Sequence, residues 1–357
     1  MAGILRKATL TRPPGTESGG PFWPDARARI NTGRVLPVVS NETVAALFGV
    51  GPGEIARAWA ADIQSPLSDE ENSDLGRVAQ YHAICLKAPA EAKRQYLEAI
   101  KGYLVTLAQE EGRADPEIVE AMLDDNARSQ VTFSALAAQL GYPYHPDPAQ
   151  NPLRLLAELP LPVYLTTSPH RFLEYELART GSRDPVTAVF YWDDGLRFIP
   201  SIFDQEPDYT PSRERPLVYH LFGLDDYPES LVLTEDDHLD YLVKLATLSY
   251  AVKHTDTNYD IPAVVTLALT GKALLLLGFQ VTGWDFRVLF KGLVQATQES
   301  RLWPGVAMQL SPADAARRQE LCDYLAGYFS TADFSVYWGD LHGCVATLYR
   351  LWQGGSA

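Results

Sequence analysis

Short apolar runs that end in small or polar residues place the strongest limit on the fold of this chain. The run Val35–Val39 precedes Ser40 and Asn41, and the run Val163–Thr167 precedes Ser168. β-Branched runs of this length are typical of buried strands, and a Ser or Asn directly after them is typical of a helix start. Because strands and helices alternate in this way, the sequence predicts an α/β fold rather than a helical bundle or a β-sandwich.

The same alternation continues along the rest of the chain. Thr234 is predicted to cap a helix that begins at Glu235 and carries Leu239, Leu242 and Leu245 on one face. The other predicted elements are a helix at Phe172–Arg179, a strand at Val186–Trp192, a strand at Leu217–His220, a helix at Ile261–Thr270, a strand at Ala273–Leu277, a helix at Trp284–Val294, and a last strand at Phe334–Trp338 before a C-terminal helix. The predicted architecture is a Rossmann-like parallel sheet.

Composition divides the chain into three regions. Residues 1–33 are rich in proline and glycine and are predicted to form a flexible N-terminal arm. Residues 54–140 show helical spacing, as at Tyr96, Ile100 and Tyr103, and are predicted to form a helical insertion. Residues 34–53 and 141–357 then make up the Rossmann-like domain.

Charge and cysteine content exclude several function classes. The 357 residues carry a formal net charge of −15, which argues against direct nucleic-acid binding and against attachment to anionic membranes. The apolar run Ala273–Phe279 is too short to cross a bilayer, and the N-terminus has no apolar signal core, so we expect a cytoplasmic protein. Cys85, Cys322 and Cys344 are too far apart for a disulfide framework or a zinc ribbon, and no metal site is expected.

Four junctions between a strand and the following residues are candidate binding positions. They are Ser40-Asn41, Thr166-Thr167-Ser168, His220 to Gly223, and Gly278 to Asp285. In an open parallel sheet, ligands bind beyond the carboxyl ends of the strands, where small residues let a phosphate approach backbone amides and hydroxyl groups bind a ribose. The alternative is that each junction is an ordinary capped loop.

Several of these segments together resemble a known family. Val218-Tyr219-His220-Leu221-Phe222-Gly223 is followed by Ser230-Leu231-Val232-Leu233-Thr234-Glu235-Asp236-Asp237, and Leu165-Thr166-Thr167 and Leu277-Gly278-Phe279 stand before and after them. In order and spacing, from about Arg34 to Trp352, these motifs resemble the bacterial sirtuin-like domains of antiphage defence proteins. The resemblance implies a Rossmann-like NAD-binding domain with a helical insertion.

An active member of that family cleaves the bond between nicotinamide and ribose in NAD. The resemblance also implies protein partners in a defence complex and a homo- or hetero-oligomer, but not a protein deacylase, since the four-cysteine zinc module of deacylases has no counterpart here. If NAD binds, as ligand or as substrate, the candidate contact residues are Thr166, Thr167, Ser168, His220, Gly223, Gly278 and Asp285.

The departures from the family pattern fall on its catalytic positions. Ser168 stands where the family has Asn, His170 where it has Asp, and Phe222 where it has the catalytic His. A phenyl ring cannot accept a proton, so no catalytic residue is assigned. In addition, Glu42 follows the first strand in place of a glycine-rich phosphate turn, which opposes diphosphate binding.

Three functions stay open from the sequence, the third of them an unrelated nucleotide-binding α/β protein, which applies only if the motif match is accidental. The first is a catalytically degenerate domain that serves as a scaffolding or nucleotide-sensing subunit of a defence complex. The second is an NAD hydrolase that uses His220 or His170 as its base, since strand alternation would turn His220 to the same face as Phe222. Asp236, Asp237 and His238 raise the question of a metal, but adjacent residues of a helix diverge, which favours a solvated helix N-terminus.

Overall fold

A computed structural model gives the fold of this chain. It describes residues 9–10, 25–41, 51–145, 147, 150–253, 261–280, 284–289, 306–310, 320, 324 and 334–354. Within these ranges, no helix combines the length and the apolar character that crossing a membrane requires.

Within the described part of the chain, eight parallel strands form one sheet. In chain order they are β1 (Thr9–Leu10), β2 (Val35–Val39), β3 (Val163–Thr166), β4 (Val186–Val189), β5 (Leu217–His220), β6 (Ala273–Leu277), β7 (Val306–Leu310) and β8 (Phe334–Trp338). Across the sheet the order is β1-β8-β7-β6-β2-β3-β5-β4, and every neighbouring pair is parallel. The predicted Rossmann-like α/β fold is therefore confirmed.

Strand β2 lies at the point where the direction of winding reverses. The chain continues from β2 to β3 on one side and returns to β6 on the other, with Val38 paired to both Leu165 and Leu276. Loops that leave β2, β3 and β6 therefore diverge at the carboxyl edge of the sheet and leave a crevice between them. The topology places any ligand site at this edge.

Fourteen helices are described around the sheet. They are α1 (Ala26–Asn31), α2 (Pro52–Asp62), α3 (Leu75–Leu86), α4 (Pro89–Glu111), α5 (Pro116–Met122), α6 (Asp125–Ser129), α7 (Phe133–Gln139), α8 (Pro152–Glu158), α9 (Phe172–Arg179), α10 (Ile202–Gln205), α11 (Glu235–Lys253), α12 (Ala263–Gly271), α13 (Trp284–Leu289) and α14 (Leu341–Gln353). Helices α2 to α7 occupy the range assigned to the insertion, whose limits as a domain stay a prediction.

The strands alternate between two hydrophobic layers. On one face, Tyr164 and Val218 pack with helices α8, α9 and α14 and with the helical insertion. On the other face, Leu165 and Tyr219 pack with α11, α12 and α13. Because the middle strands are covered on both faces, they are mostly apolar, as parallel strands usually are, with Thr166 and His220 as polar residues at the carboxyl ends of β3 and β5.

Three elements of the fold differ from the sequence prediction. Residues Ala26 and Ile30 of α1 are fully buried, and α1 packs against α14, so this part of the predicted flexible arm belongs to the core. Strand β7 was not predicted, although Pro304-Gly305 and Ser311-Pro312 flank it in the sequence, because a run of five residues carries too little periodicity. Strand β1 contains two residues, which is too short for any periodicity.

A buried ion pair joins the helical insertion to the sheet domain. Lys93 of α4 and Asp237 of α11 approach to 2.8 Å between Nζ and Oδ1, and their side chains are 5% and 10% exposed. The Lys93 ammonium also lies 5.0 Å from the Trp192 ring centroid. Oδ2 of Asp237 accepts the backbone N–H groups of Leu233 and Thr234, so the carboxylate is fully coordinated. This pair fixes the start of α11 against α4.

Replacing the lysine of this pair should destabilise the fold. Lys93→Met leaves the Asp237 carboxylate buried without its cation, so we expect a loss of about 3 kcal/mol in the free energy of unfolding. Lys101→Met on the same helix is the matched control, because its partner Glu98 is exposed and stays solvated; the expected loss is below about 1 kcal/mol. Urea denaturation followed by circular dichroism measures both, and equal losses would contradict the assigned role of Lys93.

Candidate functional site

Hydroxyl groups join the carboxyl ends of the central strands to one another. The Ser40 hydroxyl donates to the carbonyl of Gly278 at 2.6 Å, and the Thr166 hydroxyl donates to the carbonyl of Val39 at 3.0 Å. The Thr167 hydroxyl accepts the backbone N–H of Asn41 at 3.0 Å. These bonds fix the loops after β2, β3 and β6 relative to each other.

The backbone amides at the first loop are also bonded within the protein. The N–H of Ser40 donates to Leu277 and that of Asn41 to Thr167. A diphosphate in a Rossmann-like fold needs free amides at this junction. Ser40 and Asn41 therefore leave no free amide here, while Glu42 lies outside the described residues.

Gly278 and Asp285 are the predicted site residues of the fourth junction. The N–H of Gly278 donates to Oε1 of Gln309 at 3.0 Å, and Nε2 of Gln309 donates to the carbonyl of Gly339 at 2.7 Å. This chain of bonds extends the joined strand ends to β7 and β8. Asp285 lies in α13, and its side chain is outside the described part of the structure.

The second predicted junction faces a buried carboxylate. Oδ2 of Asp225 accepts from the Ser134 N–H at 2.8 Å and from its hydroxyl at 2.5 Å, and lies 3.1 Å from Nδ1 of His170. Burial opposes ionisation of Asp225, but the bonds from His170 and Ser134 outweigh it and hold the carboxyl pKa below its ordinary value. Since Ser134 lies at the start of α7, this group is a second link between insertion and sheet domain.

His170 and Ser168 belong to this interior network. The His170 ring stacks against Phe133 and Phe172, at centroid distances of 4.5 and 5.4 Å, and is 7% exposed. Ser168 is 2% exposed, and its hydroxyl accepts the N–H of His170 at 3.3 Å. Neither residue lines a cleft, so each serves the packing of the loop after β3.

His220 is fully buried, and both of its ring nitrogens face oxygen atoms. Nδ1 lies 2.7 Å from the carbonyl of Ser168, and Nε2 lies 2.7 Å from Oε1 of Glu174. Because a carbonyl can only accept, Nδ1 donates its hydrogen bond to Ser168, and Nε2 forms the second hydrogen bond with the Glu174 carboxyl group. This arrangement fixes α9 to the end of β5 and leaves His220 no free nitrogen for a ligand.

The expectation that His220 and Phe222 share a face is corrected by the structure. Strand β5 ends at His220, so the alternation of side chains does not continue through Leu221 to Phe222. His220 contacts Glu174 of α9, whereas Phe222 packs on Tyr241 of α11, at a centroid distance of 5.0 Å. The two side chains lie in opposite layers.

Gly223 makes the turn that brings Phe222 to the surface of a cleft. Its φ is +89°, and a Cβ at this position would lie 2.2 Å from the carbonyl oxygen of Ser230. The same turn is closed by the Ser230 hydroxyl, which accepts the N–H of Leu224 at 2.9 Å. Only glycine fits this close approach, which explains its place in the motif.

The cleft lies between the carboxyl edge of the sheet and the helical insertion and has a volume of about 1200 Å³. Asn41, Thr167, Pro169, Phe222 and Gln280 contribute the sheet side. The other lining residues are Gly53, Ser68, Glu70, Glu71, Ser73, Asp74, Leu75, Gly76, Arg77, Tyr96, Leu231, Val232, Leu233, Glu235, Asp236, His238 and Leu239. Of the predicted site residues, Thr167 alone is among the described residues that line it.

The rim of the cleft is acidic. Five lining carboxylates, Glu70, Glu71, Asp74, Glu235 and Asp236, stand against one guanidinium, Arg77. Arg77 is 3.1 Å from Glu71, 4.0 Å from Asp74 and 3.4 Å from Glu235, so its charge is shared among three carboxylates. The described lining therefore has a surplus of negative charge and of hydrogen-bond acceptors.

His238 lines the cleft, although the sequence pattern raises it only as a candidate metal ligand beside Asp236 and Asp237. Its Nδ1 lies 2.7 Å from the carbonyl of Thr234, and its ring meets Phe222 edge to face at 5.8 Å between centroids. The expected solvated helix N-terminus is wrong for its neighbour Asp237, which is buried against Lys93. The predicted Thr234 cap is present, with its hydroxyl accepting the N–H of Asp237. The Thr234 cap was the sequence feature that could have located His238, because the start of a helix determines the direction in which each following residue faces. In α11 this direction turns His238 toward the cleft.

Comparison with known proteins gives one family for part of the chain. Residues 162–331 match the SIR2-like domain, which supports the sirtuin-like family predicted from the motifs. The match covers slightly less than half of the chain and runs from the start of β3 to the segment before β8. No curated protein matches the chain.

The pH dependence of stability should report the Asp225 network. The carboxyl pKa of Asp225 is lower in the folded chain than its ordinary value of 3.8. The stabilisation from Asp225 is therefore fully present above pH 3.8 and is lost as the pH falls through the pKa of the folded state. Asp225→Asn should cost about 2 kcal/mol at neutral pH, and the difference from wild type should shrink in acid. Denaturant titrations at several pH values measure this, with Asp226→Asn, a partly exposed neighbour, as control. A difference that is constant with pH would contradict the role of Asp225.

Substitution at Gly223 should test the turn that carries Phe222. Gly223→Ala forces a Cβ into backbone atoms at positive φ, so we expect a loss of about 3 kcal/mol. Gly102→Ala in α4 meets no atom within 4 Å and should stabilise the protein by about 0.5–1 kcal/mol, because alanine is the better helix former. Thermal and urea denaturation of both variants measure the effects; a neutral Gly223→Ala would show that the turn is adaptable.

Proposed function

We propose that this protein is a catalytically degenerate sirtuin-like domain protein that binds a ligand in the cleft and serves as a scaffolding or nucleotide-sensing subunit of an antiphage defence complex. The SIR2-like match and the sheet topology support the domain assignment. The observation that carries the proposal is Phe222, which places a phenyl ring on the cleft wall at the position where the family has its base. The defence role rests on the family resemblance.

The other catalytic positions support the same reading. Cleavage of a glycosidic bond passes through an oxocarbenium-like state and needs groups that contact the sugar and the attacking water. Ser168 and His170 are buried in the network around Asp225 and do not line the cleft. His220, the alternative base, has both nitrogens bonded.

The described residues do not fit the diphosphate of NAD. A diphosphate binds where free backbone amides and a cationic side chain converge. Here the amides of Ser40 and Asn41 are bonded internally, and Arg77 is held by carboxylates at the rim. The described residues therefore disfavour NAD as a tightly bound cofactor.

Exposed apolar side chains support a role in assembly. Val243 of α11 and Leu267 of α12 are 66% and 69% exposed, and Ile84 of α3 is 64% exposed. Apolar residues on several helices offer contact area to protein partners. The partners and the oligomeric state are part of the proposal.

Nicotinamide release tests the proposed loss of catalysis. Full-length protein incubated with a high concentration of NAD should give no nicotinamide above the blank, measured by liquid chromatography. The Phe222→His variant returns an imidazole to the cleft wall and should gain slow release, whereas the Phe222→Leu control should not. Robust turnover by the wild-type protein would overturn the proposal. Phe222→His is tested alone, because a further His170→Asp replacement would place a second carboxylate next to that of Asp225.

A further inference from the structure

The described lining of the cleft carries five carboxylates and one guanidinium, and this charge balance limits what the cleft can bind. Carboxylates line its rim, and Arg77, the described cation there, already contacts Glu71, Asp74 and Glu235. A ligand that carries hydroxyl or N–H donors can satisfy these acceptors, whereas a phosphate meets repulsion. The described lining therefore disfavours the anionic part of a dinucleotide.

His238 adds a directed acceptor to the same wall. The carbonyl of Thr234 can only accept, so Nδ1 of the neutral ring carries the hydrogen and Nε2 is the acceptor nitrogen. The described residues provide no hydrogen-bond partner for Nε2. Phe222 packs edge to face on the ring and limits its rotation. His238 thus presents one preoriented acceptor nitrogen.

Apolar side chains form the wall around this acceptor. Phe222, Leu231, Val232 and Leu233 all line the cleft, and Phe222 is 6% exposed. An aromatic base packs well on such a surface, while its sugar meets the polar rim. The position at the winding reversal of a Rossmann-like sheet is one where nucleosides are commonly bound, with carboxylates contacting ribose hydroxyls.

We propose that the cleft binds a nucleoside without phosphate, that His238 accepts a hydrogen bond from a ribose hydroxyl, and that a positively charged base is preferred over a neutral one. This proposal rests on the proposed ligand-binding function and gives it a ligand class. The negative rim attracts a cationic base and repels a diphosphate. Apolar contacts with the wall are common to all nucleosides, so the charge of the rim distinguishes between them.

Calorimetric titration of the full-length protein tests the order of affinities. The probes are nicotinamide riboside, which is cationic, adenosine, which is neutral, and NAD, which carries the diphosphate. We expect affinity to fall in that order, and the preference for nicotinamide riboside over NAD to shrink with added salt, because the rim carboxylates are partly exposed. NAD binding as tight as nicotinamide riboside, or no nucleoside binding, would overturn the proposal.

Variants of His238 separate its acceptor from its contact with the helix. His238→Phe removes both nitrogens and should weaken nucleoside binding about tenfold. The shorter amide of His238→Asn replaces only the Nδ1 side of the ring, so this variant should lose as much nucleoside affinity as His238→Phe. The His238→Gln variant places an oxygen acceptor nearer the Nε2 position and should retain more of the affinity. His342→Gln on α14 does not line the cleft and is the matched control. Equal affinity in all four variants would overturn the role of His238.

A charge variant tests the rim. Glu235→Gln removes one of the carboxylates that hold Arg77 and should raise the affinity for NAD relative to nicotinamide riboside. An unchanged ratio would contradict the contribution of the rim. Gln80→Ala, which alters the neighbouring contact with Asp236 without changing charge, is the control.

Nicotinamide release in the same samples distinguishes the two proposals. Release by the wild-type protein that disappears in His238→Phe would overturn the proposed loss of catalysis while supporting the contact between His238 and ribose. Binding without release supports both proposals. Release that persists in every His238 variant would overturn both.

Discussion

The buried carboxylate of Asp237 is the constraint on which the cleft depends. It is the third residue of α11 and accepts two backbone N–H groups at the start of that helix, as a capping carboxylate does, while its other oxygen binds Lys93 of the insertion. A buried charge of this kind requires all of its partners. The distance between the insertion and the sheet edge is therefore set by a direct ion pair. As a consequence, Glu235 and His238, which lie close to Asp237 in α11, are placed on the cleft wall.

Polar groups at the winding reversal serve the protein rather than a ligand. In this fold the hydroxyls and amides after the central strands are the natural ligand contacts, because parallel strands leave them at one edge. Here Ser40, Thr166 and Thr167 bond to neighbouring strand ends, and His220 bonds to α9. Each internal bond satisfies a buried group that would otherwise need water or ligand. The polar groups of the edge are consequently occupied within the protein, and the proposed ligand contacts lie farther out, at Phe222, α3 and the start of α11.

The sequence predicted the sheet and its motifs better than the side-chain directions. Apolar runs such as Ala273–Leu277 identified strands because a strand covered on both faces must be apolar throughout. Strand β7 and helix α1 escaped because short elements carry little periodicity. The direction of His220 and Phe222 depended on where β5 ends, and the burial of Asp237 depended on Lys93, which is 144 residues away in the chain. Long-range pairs of this kind leave no local signal.

In the proposed function, Phe222 and His238 give the site a different chemistry on an unchanged fold. The two rings touch, so they occupy one region of the cleft although they come from a loop and from a helix. Phe222 supplies apolar area where the family has a proton acceptor, and His238 supplies an acceptor whose second nitrogen is tied to the helix backbone. Because the Thr234 cap and the Lys93 pair already fix α11, an imidazole at position 238 needs no further support. Recognition of a ligand hydroxyl can thus reside on α11 while the loop after β5 keeps its apolar packing.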